Sequence, residues 1–151
     1  MEWADPHVHE SGAFISNEDV LKFAYLTNDL NPIHLVDSAA VEKGFERAIC
    51  HGMLVASYIS TALSDHFGEG TIFINQSVKF IKPVLVNSEI VIKLQNPIVN
   101  VKGRTEVQSN IWVQTKKRKG GEDFYVQELV IIGRSEVIPG VKNYAIKSKY
   151  K

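Results

Sequence analysis

One segment limits what this chain can fold into more than any other. From Ala48 to Ser64 the sequence runs for seventeen residues without a lysine, arginine, aspartate or glutamate. A helix that begins near Gly52 and ends at Gly68 fits the pattern and makes about four turns. Since an uncharged helix has no face suited to water, we expect it to be buried on every side. Its serines and its length argue against a membrane span.

The second half of the chain has the patterning of strands that could enclose such a helix. Apolar residues alternate with polar ones over 89–94 and 106–114, and 72–80 and 124–132 are rich in β-formers. Turn-forming residues separate these runs at Asn87-Ser88, Lys102-Gly103 and Lys119-Gly120-Gly121. We therefore predict an α+β protein in which an antiparallel β-sheet wraps one long central helix. No repeat or linker divides the chain, so we expect residues 1–151 to form a single domain.

Two shorter helices are predicted before the long one. Ser16 with Asp19 three residues later has the spacing of a capping box. The helix that they begin must stop near Asn28, because the proline that follows lacks a backbone donor. Asp37 is a candidate cap for a second helix that closes at Gly44. The lysine-rich end, residues 142–151, is predicted to be a frayed tail.

Charge and cysteine content exclude several classes of protein. Seventeen basic residues balance seventeen acidic ones, so there is no net charge to attract nucleic acid or an anionic membrane surface. The single cysteine, Cys50, cannot form an internal disulfide, which suits a reducing compartment. Residues 1–10 show no signal or transit peptide pattern. We expect a cytoplasmic protein, or one of an organelle matrix if a presequence has been removed.

The stretch most suggestive of chemistry is Asn28-Asp29-Leu30-Asn31-Pro32-Ile33-His34. Asp29 and His34 do not share one helical face, and Pro32 predicts a turn that lets both side chains point into one space. Asn31 can stabilise that turn by bonding to the backbone. A carboxylate and an imidazole around one water form an acid/base pair. A turn-capping aspartate bonded to a partly buried histidine explains the same residues equally well.

A second feature, Cys50-His51-Gly52-Met53, stands where the long helix begins. Backbone N–H groups at a helix start are unpaired and lie at the positive end of the helix dipole. The N–H of Gly52 could therefore donate to an oxyanion without obstruction by a side chain. The alternative is a glycine required for close packing.

Together, Asp29-Leu30-Asn31-Pro32-Ile33-His34, Ala40 and His51-Gly52-Met53 resemble the MaoC-like family of (R)-specific enoyl-CoA hydratases and (3R)-hydroxyacyl dehydratases. Gln76-Ser77-Val78-Lys79-Phe80-Ile81-Lys82-Pro83-Val84 is similar to the strand that follows the helix in that family. The likeness covers roughly residues 23–92. One departure is Asn28, where the family usually has glycine. Asparagine tolerates positive φ better than most residues, which favours retention of the turn.

The resemblance implies a hot-dog fold, which agrees with the patterning. It also implies that Asp29 and His34 hold and activate a water, with Asn31 in support, and that the Gly52 N–H binds a thioester carbonyl. Ser60 stands where some relatives have a contributing serine, but a packing serine bonded to its own helix explains it as well. The implied reaction hydrates a trans-2-enoyl-CoA to the (3R)-hydroxyacyl-CoA. It needs no metal and no cofactor beyond the coenzyme A of the substrate.

Other functions and partners remain open from the sequence. The same residues suit a (3R)-hydroxyacyl-carrier-protein dehydratase of fatty-acid synthesis or a non-catalytic module that binds acyl thioesters. A thioesterase fits the hexapeptide less well. Candidate contacts to a CoA phosphate or an acidic carrier protein are Lys79, Lys82, Lys117 and Arg118, although charges at a predicted hairpin tip usually face only solvent. Because such a sheet leaves unpaired edges, and single-domain relatives are usually dimers, we expect a homodimer.

Overall fold

The structure, a computed structural model, describes residues 7–140. The predicted tail at 142–151 lies outside the described residues. The elements follow one another along the chain as β1 (His7–Ile15), α1 (Asn17–Thr27), α2 (Pro32–Leu35), α3 (Asp37–Glu42), α4 (Gly52–Phe67), β2 (Ile72–Phe80), β3 (Ser88–Val99), β4 (Thr105–Lys119) and β5 (Glu122–Ile138).

The five strands form one antiparallel sheet in the order β1-β3-β4-β5-β2. Turns join β3 to β4 and β4 to β5 at the predicted positions. Their glycines, Gly103, Gly120 and Gly121, have φ angles of 75°, 62° and 82°. β1 and β2 are the two edges. The long helix α4 lies against this sheet, which is the α+β, hot-dog arrangement that we predicted.

One hydrophobic cluster joins α4 to the inner face of the sheet. Val55, Ile59 and Leu63 recur at every fourth position of α4 and are each at most 1% exposed. The strands contribute side chains at alternate positions, as the period of two predicts. In β3 and β4, for example, the side chains of Ile90, Ile92, Leu94, Val107 and Ile111 are at most 2% exposed. Within residues 7–140, no helix meets the length and apolarity that crossing a membrane requires.

The expectation that α4 is buried on every side is wrong for the single chain. Met53 is 65% exposed, and Ser57, Ser60, Thr61 and Ser64 are exposed on the same side of the helix. The sheet covers only one side of α4, and small hydroxyl groups can bond to their own helix on the other. The Ser57 hydroxyl, for example, donates to the carbonyl of Leu54. The lack of charged residues in α4 up to Ser64 therefore does not make the helix buried on all sides.

The short helices follow the prediction except at one cap. Ser16 and Asp19 form the capping box at the start of α1, and the helix ends at Asn28. Asp37, however, does not cap α3, because Val36 stands at the N-cap position. As the first helical residue, Asp37 turns its carboxylate to the backbone N–H of Ala48, at 2.9 Å.

β1 is the strand that the sequence pattern does not predict. Its residues His9, Glu10, Ser11 and Gly12 interrupt the alternation of apolar and polar side chains. β1 is an edge strand, and its backbone pairs with β3 in antiparallel register. The long-range pairing, rather than local propensity, forms this strand.

The packing of α4 predicts very different effects for two neighbouring residues. Leu63→Ala should lower the free energy of unfolding by about 2–5 kcal/mol, because it leaves a cavity in the shared core. Ser64→Ala is the matched control on the exposed side and should change stability by no more than about 0.5 kcal/mol. Urea unfolding followed by tryptophan fluorescence measures both. Equal losses for the two variants would contradict this orientation of α4.

Candidate active site

The segment from Asn28 to His34 is built around a proline at the start of α2. Pro32 is the first residue of α2, a position at which a missing backbone donor is tolerated. Asn31 caps this helix through its side-chain oxygen, which accepts the N–H of Ile33 at 3.3 Å. Asn28 has a φ of 61°, so asparagine adopts the left-handed conformation that a glycine would adopt readily. The local role predicted for Asn31 is confirmed, but α2 is a one-turn helix rather than a simple turn.

His34 is buried and has a defined tautomer. His34 is only 8% exposed. Its Nδ1 donates to the carbonyl oxygen of Ile49 at 2.7 Å. Because a carbonyl only accepts, the proton of the neutral ring is on Nδ1 and the lone pair is on Nε2. Burial lowers the pKa of His34, against the opposing effect of the Ile49 hydrogen bond. A neutral ring with a free lone pair can act as a general base.

Asp29 lies beside this ring on the exposed side. Its carboxylate accepts the backbone N–H of Asn31 at 3.3 Å. One carboxylate oxygen of Asp29, one ring nitrogen of His34 and one ring nitrogen of His51 lie within 4.8 Å of one another. The structure therefore brings Asp29 and His34 together.

His51 completes this cluster, although the sequence motif singled out the glycine beside it. The ring of His51 stacks on that of His34 with centroids 3.9 Å apart and planes inclined by 28°. Its Nε2 donates to the backbone carbonyl of Asp29 at 3.0 Å. A sequence signal was present, since His51 is the N-cap of α4, a position that usually holds serine, threonine, aspartate or asparagine.

The cluster has the composition of a metal site but not its geometry. Metal ligation requires each imidazole to point an in-plane lone pair at an ion about 2.0–2.1 Å away. Two stacked rings with centroids 3.9 Å apart and planes inclined by 28° are poorly oriented for this. The geometry favours proton transfer over metal binding.

Gly52 begins α4 and lines the same cavity as His34, which has a volume of about 440 Å³. Within residues 7–140 the Gly52 N–H has no protein acceptor, and the His51 side chain does not cap this helix. A Cβ on Gly52 would come within 2.7 Å of the Phe80 ring, so close packing also requires the glycine. The two explanations for this residue are compatible. The other walls are mostly apolar and include Ile49, Cys50, Val55, Phe80, Val84 and Ile131.

The remaining candidate residues are dispersed. Lys82 lines the cavity and forms an ion pair with Glu128. Lys79 lines a different cavity, together with Arg134. Ser60 lies on the exposed side of α4 and outside the wall of the His34 cavity. Lys117 and Arg118 lie near the tip of the β4–β5 hairpin. This tip extends beyond the last residues of β4 that pair with β3 and the last residues of β5 that pair with β2.

Comparison with known proteins identifies the family. The sequence profile of the MaoC like domain matches residues 3–119. This chain belongs to the MaoC-like family. An (R)-specific enoyl-CoA hydratase of Aeromonas caviae is 41% identical over 78 residues, which cover 51% of this chain and 58% of that protein. A mitochondrial 3-hydroxyacyl-[acyl-carrier-protein] dehydratase of Arabidopsis thaliana is 39% identical over 75 residues, covering 50% and 45%.

This MaoC-like chain spans about half the length of the curated relatives that it matches. Those relatives are named as enoyl-CoA hydratases or 3-hydroxyacyl dehydratases. Among solved structures, the (R)-hydratase from A. caviae involved in PHA biosynthesis superposes with a TM-score of 0.75 at 26% identity, covering 93% of this chain and all of the other. The protein af1124 of Archaeoglobus fulgidus has a TM-score of 0.71 at 20% identity, covering 93% and 81%. The predicted family and hot-dog fold are confirmed.

The buried, neutral His34 predicts a pH-dependent stability. Its pKa is lowered in the folded protein but returns to about 6.5 on unfolding. Between these two values the unfolded state binds more protons, so stability falls as the pH drops below about 6.5. The difference in unfolding free energy between wild type and His34→Gln should change by up to about 1.4 kcal/mol per pH unit in this window. Urea titrations from about pH 5 to 8 measure it, and parallel curves would contradict the assignment.

Proposed function

We propose that this protein adds water to a trans-2-enoyl-CoA to give the (3R)-hydroxyacyl-CoA. The observation that carries the proposal is that His34 and Gly52 line one apolar cavity, with an Asp29 carboxylate oxygen within 4.8 Å of a His34 ring nitrogen. Relatives named (R)-specific enoyl-CoA hydratase support this reaction and its stereochemistry. The chain would act as one domain, with coenzyme A entering only as part of the substrate.

Asp29 and His34 would supply the acid/base chemistry. They hold one water, which adds its oxygen to the β-carbon of the enoyl group and gives up a proton to the pair. A proton from the pair is then delivered to the α-carbon, so the elements of water are added across the double bond. Groups this close share their protons, so we assign acid and base roles to the pair and not to either residue.

Gly52 would stabilise the charge that develops on the thioester oxygen. Its N–H lies at the positive end of the α4 dipole and has no competing acceptor among the described residues. The loss of one such donor costs other enzymes about 3–4 kcal/mol of transition-state stabilisation. The apolar walls strengthen this interaction by excluding water, and they also suit an acyl chain.

A second candidate function is dehydration of a (3R)-hydroxyacyl group on a carrier protein. It is the reverse reaction at the same residues, and relatives in Arabidopsis thaliana and Solanum lycopersicum are named 3-hydroxyacyl-[acyl-carrier-protein] dehydratases. Comparing kcat/KM for one acyl group on coenzyme A and on a carrier protein distinguishes the two. A non-catalytic thioester-binding module would bind both substrates and turn over neither.

We further propose that two copies form a homodimer through the β2 edge. Among residues 7–140 no further strand pairs with this edge. β2 carries the exposed side chains of Phe73 and Phe80, and exposed Met53 lines the same cavity as Phe80. Pairing of edges and burial of such a patch across a two-fold axis would satisfy both features. The Phe80 ring also lines the cavity, so the second copy would help to enclose the substrate.

We place this activity in a reducing compartment, the cytoplasm or an organelle matrix. Cys50 is a buried free thiol, and burial raises its pKa to about 12. A thiol in this state is neither a nucleophile nor readily oxidised. Two relatives with mitochondrial names support the organelle as the alternative.

Removal of either member of the pair should abolish hydration. Asp29→Asn and His34→Ala are each expected to lower kcat/KM for crotonyl-CoA by about 10²–10⁴, measured by loss of the conjugated enoyl absorbance. Asp65→Asn, which neutralises an exposed carboxylate of α4, is the control and should leave the rate unchanged. Full activity in Asp29→Asn or His34→Ala would remove that residue from the mechanism. Chiral analysis of the product should show the (3R) isomer.

The homodimer is tested by sedimentation equilibrium. The wild-type protein should sediment at twice the mass of one 16.9 kDa chain. Phe73→Lys, which places a charge at the exposed β2 edge, should shift the population toward monomer. A wild-type protein that is monomeric at all concentrations would contradict the proposal.

A further inference from the structure

His51 is not required as an acid, a base or an oxyanion donor in the proposed reaction, yet it touches both members of the reacting pair. We infer that His51 is a positioning residue, whose Nε2–H holds the backbone of Asp29 while its ring sets the plane of the His34 ring. This inference rests on the proposed function and extends it to a residue that binds neither water nor thioester.

The first contact ties Asp29 to the start of the long helix. Asp29 lies between α1 and α2, outside any regular element. Its backbone N–H donates to the nearby hydroxyl of Thr27, at 3.3 Å. The bond from His51 Nε2 to the Asp29 carbonyl, at 3.0 Å, spans 22 residues of sequence. It therefore connects the backbone that carries the Asp29 carboxylate to the start of α4, whose first residue is Gly52.

The second contact restricts the ring of His34. The His51 ring contacts the ring of Phe23, with centroids 4.9 Å apart, and the ring of His34, with centroids 3.9 Å apart. A stacked neighbour resists rotation of the His34 ring out of its plane. The bond from His34 Nδ1 to Ile49 is thereby kept aligned, and Nε2 stays directed to the side on which the water would bind.

Packing alone does not account for a histidine at this position. His51 is 2% exposed, and its Nδ1 is buried without a hydrogen-bond partner among the described residues. A buried polar atom without a partner costs about 1–3 kcal/mol, which an apolar ring of similar shape would avoid. The Nε2–H bond to Asp29 is what an apolar ring could not provide.

Two substitutions separate the hydrogen bond from the ring. His51→Phe keeps a ring for stacking and removes the donor. His51→Gln removes the ring and offers an amide N–H at a similar reach. We expect His51→Phe to lower kcat for crotonyl-CoA by about 10–100-fold with little change in KM, because a small misplacement of a catalytic group is enough for a loss of this order. His51→Gln should retain more activity and lose less than about tenfold, because its amide can replace the hydrogen bond.

Circular dichroism and thermal unfolding establish that each variant is folded before its kinetics are compared. A merely structural His51 would make both variants lose activity in parallel with stability, or would leave His51→Phe as active as wild type. Either result overturns the inference. Rescue of kcat by glutamine but not by phenylalanine supports it.

A measurement on the wild-type protein keeps the inference separate from the proposed function. Nitrogen-15 NMR of the imidazoles should show a slowly exchanging proton on Nε2 of His51 and none on its Nδ1, with the reverse tautomer for His34. A proton on Nδ1 of His51 would refute the hydrogen bond even if the enzyme is active. Wild-type protein that shows this spectrum but hydrates no enoyl thioester would refute the proposed function and leave the positioning geometry intact.

Discussion

The candidate site depends on the backbone hydrogen bonds of one short segment, residues 48–50. Ile49 donates its N–H to the carbonyl of Ile33 at 3.1 Å and accepts the Nδ1 proton of His34. On its other side, the segment bonds to the chain that follows β2, through Cys50 to Val84 at 2.7 Å and Val86 to Ala48 at 3.0 Å. Because buried peptide groups must be paired, these bonds determine where α2 and the start of α4 meet.

The chemistry proposed for the site follows from the burial of His34 and from the lack of acidic residues in the first turn of α4. His34 is neutral since burial disfavours its charged form, and its tautomer is set by a carbonyl rather than by a carboxylate. The first turn of α4 holds no acidic residue, so no carboxylate on that turn weakens the positive end of the dipole near Gly52. Apolar walls keep the His34 base unprotonated, and they make the proposed oxyanion donor stronger than it would be in water.

Local rules predicted the elements whose signals lie within a few residues. Ser16 and Asp19 are enough to begin α1, and Gly68 ends α4 where it was expected to end. Asn28 could be expected to accept positive φ from its side chain alone. The same local rules did not predict contacts between residues that are far apart in the sequence. β1 forms because β3 pairs with it. Asp37 is the first residue of α3 rather than its cap, and its carboxylate accepts the N–H of Ala48, eleven residues away.

The candidate residues divide in the same way. Asp29, Asn31, His34 and Gly52 stand in short motifs where proline and helix-terminus chemistry act locally, so sequence alone singled them out as candidates, although it predicted a turn where the structure has the one-turn helix α2. Only the tertiary structure decided that His51 stacks on His34 and holds Asp29, that Lys79 faces another cavity, and that α4 leaves its serines exposed. The physical reason is distance along the chain. A hydrogen bond across 22 residues or a sheet that covers one side of a helix depends on how separate elements pack, and no local pattern encodes that packing.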